Sequence, residues 1–207
     1  MAKILNGHFG SYQGKIGAVT GRKRKGTFYI SQSITHNSSQ TTKQKDQRNR
    51  FSAAAKALAP LANALMKGFS AYDTGMTALN AALGFNIGKV DSNFDLAYTD
   101  VVVARGPFVN VQGATPQNPG TGTLKMVWTN NADPNTNTDS DDVVYVVFHE
   151  PVSRATIMLT AKRGDASVQY SYPNSWANKD VYTWVFTQSV ANGKISDGPS
   201  AGMINVE

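Results

Sequence analysis

Apolar residues recur every three or four positions over residues 51–69, which is the period of an amphipathic helix. A Thr41-x-x-Gln44 capping box before this stripe predicts that the helix begins near residue 41. Pro60 lies inside the stripe and is expected to kink or split the helix near Leu58. With a second helical stretch over 70–83, the pattern predicts a helical hairpin or a kinked helix pair. The stripe consists of Phe51, Ala54, Ala55, Leu58, Leu61, Ala62, Leu65 and Phe69.

After Val90 the pattern changes to short segments rich in β-branched and aromatic residues, separated by Gly, Pro, Asn and Thr. The segment 113–122 has the composition of a loop. Six or seven short strands at this spacing predict an antiparallel sandwich of the immunoglobulin or fibronectin-III type, which needs no disulfide. Its candidate core anchors are Trp128, Trp176 and Trp184. The predicted strands are 97–104, 124–129, 143–148, 156–161, 167–170, 181–187 and 203–206.

The first part of the chain is rich in glycine, with short apolar pieces between the glycines. Residues 16–19 and 27–30 flank the segment 21–26, which predicts a β-hairpin with a basic tip. Because an isolated hairpin is marginally stable in water, we expect it to pack on the following helix or on another subunit. The predicted fold class is therefore α+β. An N-terminal β-hairpin and helical hairpin occupy residues 1–90, and the immunoglobulin/fibronectin-III-like sandwich occupies residues 91–207.

The division near Val90 also separates the charge of the chain. Residues 1–90 hold 13 Lys+Arg against two Asp, a formal charge of +11, whereas residues 91–207 hold 7 Lys+Arg against 12 Asp+Glu, a charge of −5. Such a split predicts that the basic part faces something acidic. Nucleic acid, an anionic surface and the acidic part of a neighbouring copy all fit this description.

Composition excludes several classes of site. The absence of cysteine rules out disulfides, zinc–thiolate sites and thiol nucleophiles. Polar residues follow the first methionine too soon for a signal peptide, and no apolar run approaches the roughly 20 residues that span a bilayer. We therefore expect no signal peptide, no membrane insertion, and a cytoplasmic or virion location.

Four adjacent cations at positions 22–25 are the sharpest local feature. Cations on a loop beside aromatic rings can neutralise phosphates while a ring stacks on a base. A solvated turn and a contact with an acidic protein surface are the alternatives. Further cations extend into the first helix, where an outward polar face explains them equally well. The candidate nucleic-acid or polyanion contacts are Lys15, Arg22, Lys23, Arg24, Lys25, Lys43, Lys45, Arg48 and Arg50, with Tyr12, Phe28 and Tyr29 as candidate aromatic contacts.

No motif in the chain predicts catalysis. The Gly14-Lys15 pair is spaced wrongly from Gly10 for a phosphate-binding loop, and Ile16 replaces the required Ser or Thr. The three histidines, His8, His36 and His149, have no neighbouring acid and nucleophile in a known motif. We therefore predict a protein that is not an enzyme and has no cofactor.

Residues 133–142 alternate oxygen-bearing side chains much as a calcium loop does. However, Thr138 stands where the loop needs glycine, and Val144 stands where it needs a bidentate Glu. A solvated hairpin loop is the favoured interpretation, and no metal site is predicted.

Four segments carry a combined resemblance: Gly14-Lys15-Ile16-Gly17, the strand 26–30, Thr42-x-Gln44-x-x-Gln47-Arg48-x-x-Phe51, and Val181-Tyr-Thr-Trp-Val-Phe186 with Ile195-Ser-Asp197. Together they resemble a family of bacterial and phage proteins, a domain of unknown function found in Bacteroidetes-type genomes. The likeness covers nearly the whole chain and implies an architecture, but no activity for any residue. Family members often carry Arg just after the second hairpin strand, where this chain has Ser31 and Gln32.

Three hypotheses about function follow. The first is a non-catalytic structural or assembly protein, for example a phage or prophage virion component, whose basic N-terminal region contacts nucleic acid or neighbouring subunits of a homo-oligomer. The second is a cytoplasmic nucleic-acid-binding module that uses the hairpin tip. The third is a carbohydrate- or protein-binding sandwich that uses the loops 113–122 and 133–142.

Overall fold

Four short antiparallel strands form a sheet at the N-terminus, which we call the N-terminal sheet. The computed structural model describes residues 2–4, 13–24, 26–33, 41–72, 75–120 and 122–206. The strands are β1 (Ala2–Ile4), β2 (Gly14–Ile16), β3 (Val19–Arg24) and β4 (Thr27–Gln32), paired in the order β1-β4-β3-β2. Gly17 has a φ of +58° in the two-residue turn between β2 and β3, a conformation that glycine adopts without strain.

The basic segment lies mainly on a strand, which corrects the predicted basic tip. Arg22, Lys23 and Arg24 belong to β3 and pair with Tyr29, Phe28 and Thr27 of β4. These partners are aromatic or β-branched, and they offer the long aliphatic stems of the cations a surface to cover. Strand pairing therefore continues through the charged run, and the connection to β4 is reduced to residues 25 and 26.

The predicted helical region contains three α-helices, α1 (Thr42–Leu58), α2 (Ala62–Gly68) and α3 (Ala78–Asn86). The capping box is confirmed, because Thr41 N donates to Gln44 Oε1 and Gln44 N donates to Thr41 Oγ1. The break at Pro60 is also confirmed, since a 3₁₀ turn over Ala59–Leu61 separates α1 from α2. The second stretch begins later than predicted, because Thr77 caps α3 by accepting a hydrogen bond from Asn80 N. None of the helices in the described part of the chain is long and apolar enough to cross a membrane.

Seven strands follow and form two antiparallel sheets, in the orders β11-β10-β7-β8 and β5-β6-β9. Their bounds are β5 (Gln112–Gly120), β6 (Thr123–Thr129), β7 (Val143–Glu150), β8 (Ala155–Lys162), β9 (Ser167–Ser171), β10 (Lys179–Gln188) and β11 (Ser200–Val206). The predicted strands from residue 124 onward are confirmed within a few residues. The α+β class is confirmed as well.

Two predictions in this region were wrong. The segment 113–122 is largely a strand, β5, because it lies at a sheet edge where Pro116 and Pro119 need not donate to a ladder. The predicted strand 97–104 is instead a 3₁₀ turn followed by extended chain. At Val102 the backbone is hydrogen-bonded to a side chain instead of to a strand. Asn86 Nδ2 donates to the Val102 carbonyl oxygen, and Val102 N donates to Asn86 Oδ1.

Two hydrophobic cores lie on opposite faces of the sheet that contains β7 and β10. One core joins helical residues such as Leu61 and Phe69 to Tyr145 and Trp184 of this sheet. The other joins the two sheets and includes Trp128 and Trp176, with Val144, Val146, Phe148, Val181 and Val185. Burial on both faces explains why β7 is continuously apolar rather than alternating.

The chain divides into two compact units, residues 1–45 and residues 46–207. The second unit, which we call the body, contains most of the helices and both C-terminal sheets. This division differs from the predicted boundary near Val90, because the helices after residue 46 share a core with a C-terminal sheet.

Candidate polyanion-binding site

Antiparallel register brings two predicted contact residues together on one face of the N-terminal sheet. Arg22 of β3 is paired with Tyr29 of β4, and Lys15 of β2 is paired with Thr20 of β3. Side chains of directly paired residues lie on the same face, as do those two positions apart on a strand. We call the face with Lys15, Thr20, Arg22, Tyr29 and Ser31 the basic face. Lys15 and Arg22 are exposed, and Tyr29 is half-buried.

The opposite face of the same sheet is apolar. It carries Ile16, Val19, Phe28 and Ile30, of which Ile16 is 59% exposed and Val19 is 37% exposed. Lys23 also lies on this face, with Nζ 5.1 Å from the centroid of the Phe28 ring. The run of cations is therefore divided between the two faces, and Phe28 and Tyr29 do not share a face.

Three of the predicted contacts fall partly or wholly outside the described residues. Tyr12 and Lys25 lie outside them. Arg24 pairs with Thr27 at the end of β3, but its side chain is not among the described atoms. These residues stay predictions.

The cations of α1 do not all have the same role. Lys43, Lys45 and Arg48 are exposed. Arg50 is half-buried, and its Nη1 donates to the Val90 carbonyl oxygen at 2.6 Å. Arg50 therefore ties α1 to the chain that follows α3, and its contact with a ligand stays a prediction. That the α1 cations extend the basic face stays a prediction.

At the observed unit boundary the first unit holds basic side chains without acidic ones, although the charge difference between the two parts is smaller than at Val90. Residues 1–45 contain eight Lys+Arg and no Asp or Glu, a formal charge of +8, whereas residues 46–207 contain 12 Lys+Arg and 14 Asp+Glu, a charge of −2. No carboxylate side chain within the first unit can neutralise the basic face. Within this unit, solvent and salt are what screen its attraction for an anion.

The body contains a buried charged network that the sequence pattern did not predict. Arg163, between β8 and β9, is fully buried and its Nε lies 3.3 Å from Asp142 Oδ2. Burial lowers the pKa of Arg163, and the adjacent Asp142 carboxylate opposes this shift. The other guanidinium acceptors are the carbonyl oxygens of Val109 at 2.9 Å and Asn110 at 3.5 Å, and Oδ1 of Asn131. The network joins three loops that are distant in sequence.

The carboxylates of the calcium-like segment are engaged in turns. Asp133 Oδ1 accepts hydrogen bonds from Asn135 N and Nδ2, and Asp139 Oδ1 accepts one from Asp141 N. The predicted solvated hairpin loop is wrong in two respects, because β6 and β7 lie in different sheets and Asp142 is buried. In the described part of the chain, no cluster of three His, Asp or Glu side chains could hold a metal ion.

His149 of β7 is buried. Its Nδ1 lies 3.0 Å from the Ala155 carbonyl oxygen and 2.9 Å from Thr156 Oγ1, while Nε2 has no hydrogen-bond partner in the described structure. Burial lowers the pKa of His149, and hydrogen bonding to the Ala155 carbonyl oxygen opposes this. The Tyr98 ring packs 4.7 Å away, centroid to centroid. His8 and His36 lie outside the described residues.

Comparison with known proteins identifies a family but no function. No curated protein matches the chain. Among solved structures, it is similar to the solution structure of the fn3 domain of the human collagen alpha-1(XX) chain, with a TM-score of 0.38 and 11% sequence identity, over 48% of this chain and 85% of that one. A family model matches residues 11–198. The chain therefore belongs to a family of unknown function, DUF6266.

Proposed function

We propose that the protein is a non-catalytic structural or assembly protein that holds nucleic acid on the basic face of its N-terminal sheet. The observation that carries this proposal is the placement of Arg22 beside Tyr29, next to Lys15, on a unit without carboxylate side chains. A component of a phage or prophage virion is one setting in which such a protein acts.

Single-stranded nucleic acid fits this face better than duplex does. Proteins that bind single strands on a sheet stack bases on aromatic side chains while nearby cations neutralise phosphates. Tyr29 supplies a ring, and Lys15 and Arg22 supply cations on the two neighbouring strands.

We further propose that the body contains a sandwich of the fibronectin-III or immunoglobulin type, which serves as the scaffold. Strand order supports this finer assignment. Counting from β5, the first, second and fifth strands form one sheet, and the fourth, third, sixth and seventh form the other. The immunoglobulin constant-type sandwich has the same division except that its fourth strand joins the first, second and fifth, whereas here the fourth strand pairs with the third. The side chains between the sheets include two tryptophans, Trp128 and Trp176.

The test is a titration of a fluorescently labelled single-stranded oligonucleotide with the full chain at two salt concentrations. Tyr29→Ala should weaken binding by about 1–3 kcal/mol, the usual worth of one stacked base. Arg22→Ala should weaken it and reduce the salt dependence by about one counterion. Lys23→Ala is the matched control, because it removes an adjacent cation from the opposite face.

Equal losses for Arg22→Ala and Lys23→Ala would mean that total charge matters and that the basic face is not the site. No binding by the wild-type protein at low salt would refute nucleic-acid binding altogether.

Contact with a neighbouring copy is the second candidate, and the opposite formal charges of the two units favour it. In that case light scattering should detect oligomers at low salt that dissociate as salt is raised. A monomer at low salt and high concentration would contradict this assembly.

A further inference from the structure

Large apolar side chains are exposed along one part of the body, the helices α1 to α3. Their exposed fractions range from 39% for Leu79 to 52% for Phe51. Single exposed apolar residues are common, but a cluster on neighbouring elements marks an interaction surface. The exposed set in this segment is Phe51, Met66, Met76, Leu79 and Phe85.

These helices enclose an apolar groove of about 400 Å³. Phe51, Ala55 and Leu58 of α1 form one wall, and Leu79 and Leu83 of α3 form the other. Asn80 is the only polar residue among those that line it. A second depression of about 410 Å³ shares Leu79 and continues the surface to Met66. We call the two together the helical trough.

The apolar lining of the trough fits one face of an amphipathic helix. Grooves of this kind take the apolar face of a helix through side chains at i, i+3 or i+4, and i+7. Methionine at the margin suits such a surface, because its unbranched side chain adapts to the shape of the partner. The two depressions, of about 400 Å³ and about 410 Å³, share Leu79 and together offer room for more than one apolar side chain.

A charged residue at one end of the trough favours a partner of the opposite charge. Arg48 lies three residues before Phe51 on α1, on the same side of the helix, and is exposed. Asp46 lies five residues before Phe51, which turns it about 140° away from the trough. The described residues that line the trough are all uncharged, so Arg48 is the charge that the apolar stripe of α1 places at this end. A partner with carboxylates beside its apolar anchors is therefore favoured over a basic one.

We propose that the helical trough binds an acidic amphipathic helix of a partner protein, with its apolar anchors between α1 and α3 and a carboxylate facing Arg48. This inference does not depend on the basic face. It concerns a different surface, and its ligand is a protein helix instead of a nucleic acid.

The probe is a synthetic peptide of about 16 residues with leucines at i, i+3, i+4 and i+7 and glutamates elsewhere on its surface. Two comparison peptides are used. In one every Glu is replaced by Lys, and in the other the leucines are moved to positions that do not share one face of the helix. Titration of the full chain, followed by NMR chemical shifts or anisotropy, should show saturable binding of the Glu peptide at least tenfold tighter than of either comparison peptide.

Three variants locate the contact. Leu79→Ser should weaken binding of the Glu peptide at least tenfold. Because Leu79 is partly exposed, the fold should tolerate the change. Val152→Ser is the matched control, since Val152 is 79% exposed and outside the trough. Arg48→Glu should reverse the preference toward the Lys peptide. If circular dichroism shows that Leu79→Ser does not fold, Phe51→Ala replaces it.

Several results would overturn the proposal. Absence of binding by every peptide would do so, as would equal binding of the Glu and Lys peptides by the wild-type chain. Binding that Leu79→Ser and Val152→Ser leave equally intact would place the peptide elsewhere. Dimers of the wild-type chain that Leu79→Ser dissociates would assign the trough to a second copy instead.

Discussion

The N-terminal sheet and the body use positive charge in opposite ways. The sheet has four short strands and two faces with exposed side chains, and its unit contains no acidic side chain. In the body, one sheet is covered on both faces, and several cations are engaged with acceptors. Arg50 binds a backbone carbonyl, Arg163 binds Asp142, and Lys179 lies 3.4 Å from Glu150.

This difference separates cations that maintain the fold from cations that are available to a ligand. A buried charge is tolerated only when it is paired and hydrogen-bonded, so its removal damages the fold. An exposed charge with no carboxylate in its own unit contributes little to folding and acts mainly on its surroundings. Mutations in the body should therefore change stability, and mutations in the sheet should change binding.

The largest expected effect is in the buried network. Arg163→Ala should lower the free energy of unfolding by about 3–5 kcal/mol, because it leaves Asp142 buried without its partner. All three tryptophans lie in the body, so tryptophan fluorescence during urea unfolding measures this directly. Lys162→Ala is the matched control, since it removes an exposed ion pair with Asp141 that solvent and salt screen. A similar decrease in the free energy of unfolding for both variants would contradict the distinction between buried and exposed cations.

The next effect concerns the close approach of α2 to the segment after residue 100. A Cβ at Gly68 would lie 2.2 Å from the Val103 carbonyl oxygen and 2.6 Å from Ala104 Cβ. Gly68→Ala should therefore destabilise the body by about 1–3 kcal/mol. Gly84→Ala, in α3, meets nothing within 4 Å and should stabilise by about 0.5–1 kcal/mol. Thermal unfolding of the two variants should shift in opposite directions, and a shared direction would refute the packing argument.

A smaller effect should follow pH through His149. Burial lowers its pKa below the ordinary value of 6.5, so on acidification the unfolded chain takes up the proton first. The stability that the neutral imidazole contributes is complete above about pH 6.5 and is lost as pH falls toward the folded pKa. His149→Gln should flatten the dependence of unfolding free energy on pH between about 7 and 5. An unchanged slope would show that His149 is not the titrating group.

The smallest expected effect is on stability when the basic face is changed. Arg22→Ala should leave the urea midpoint of the tryptophan transition within about 0.5 kcal/mol of wild type, because surface changes of this kind rarely cost more. Its effect on oligonucleotide binding should nevertheless be clear. A large loss of body stability in this variant would show that the basic face maintains the fold instead of binding a ligand.

Much of the fold was predictable because its signals are local. The capping box at Thr41, the break at Pro60 and the strands from residue 124 onward depend on residues close in sequence. The misjudged segments depend on their neighbours in space. Pro116 is compatible with a strand only because that strand is at an edge. Asn86 holds residue 102 from 16 positions away, so no ladder forms there.

The candidate site shows the same limit. A basic run with nearby aromatic residues could be read directly from the chain, as could the charge asymmetry. The sequence could not show which cation lies beside which ring, because a shift of register by one residue exchanges the two faces of a strand. Pairing in the sheet placed Arg22 with Tyr29 and Lys23 with Phe28, and it divided the predicted cluster.

Composition and short-range pattern were thus sufficient for the α+β class, most element positions and the basic character of the N-terminal region. Tertiary structure decided which charges are buried and which surfaces are open. Arg163 follows Lys162 directly, yet one side chain is buried against Asp142 and the other is exposed beside Asp141. Adjacent strand residues point to opposite sides and chain turns can bury either one, so burial depends on elements far away in sequence. The helical trough likewise exists only because three helices meet.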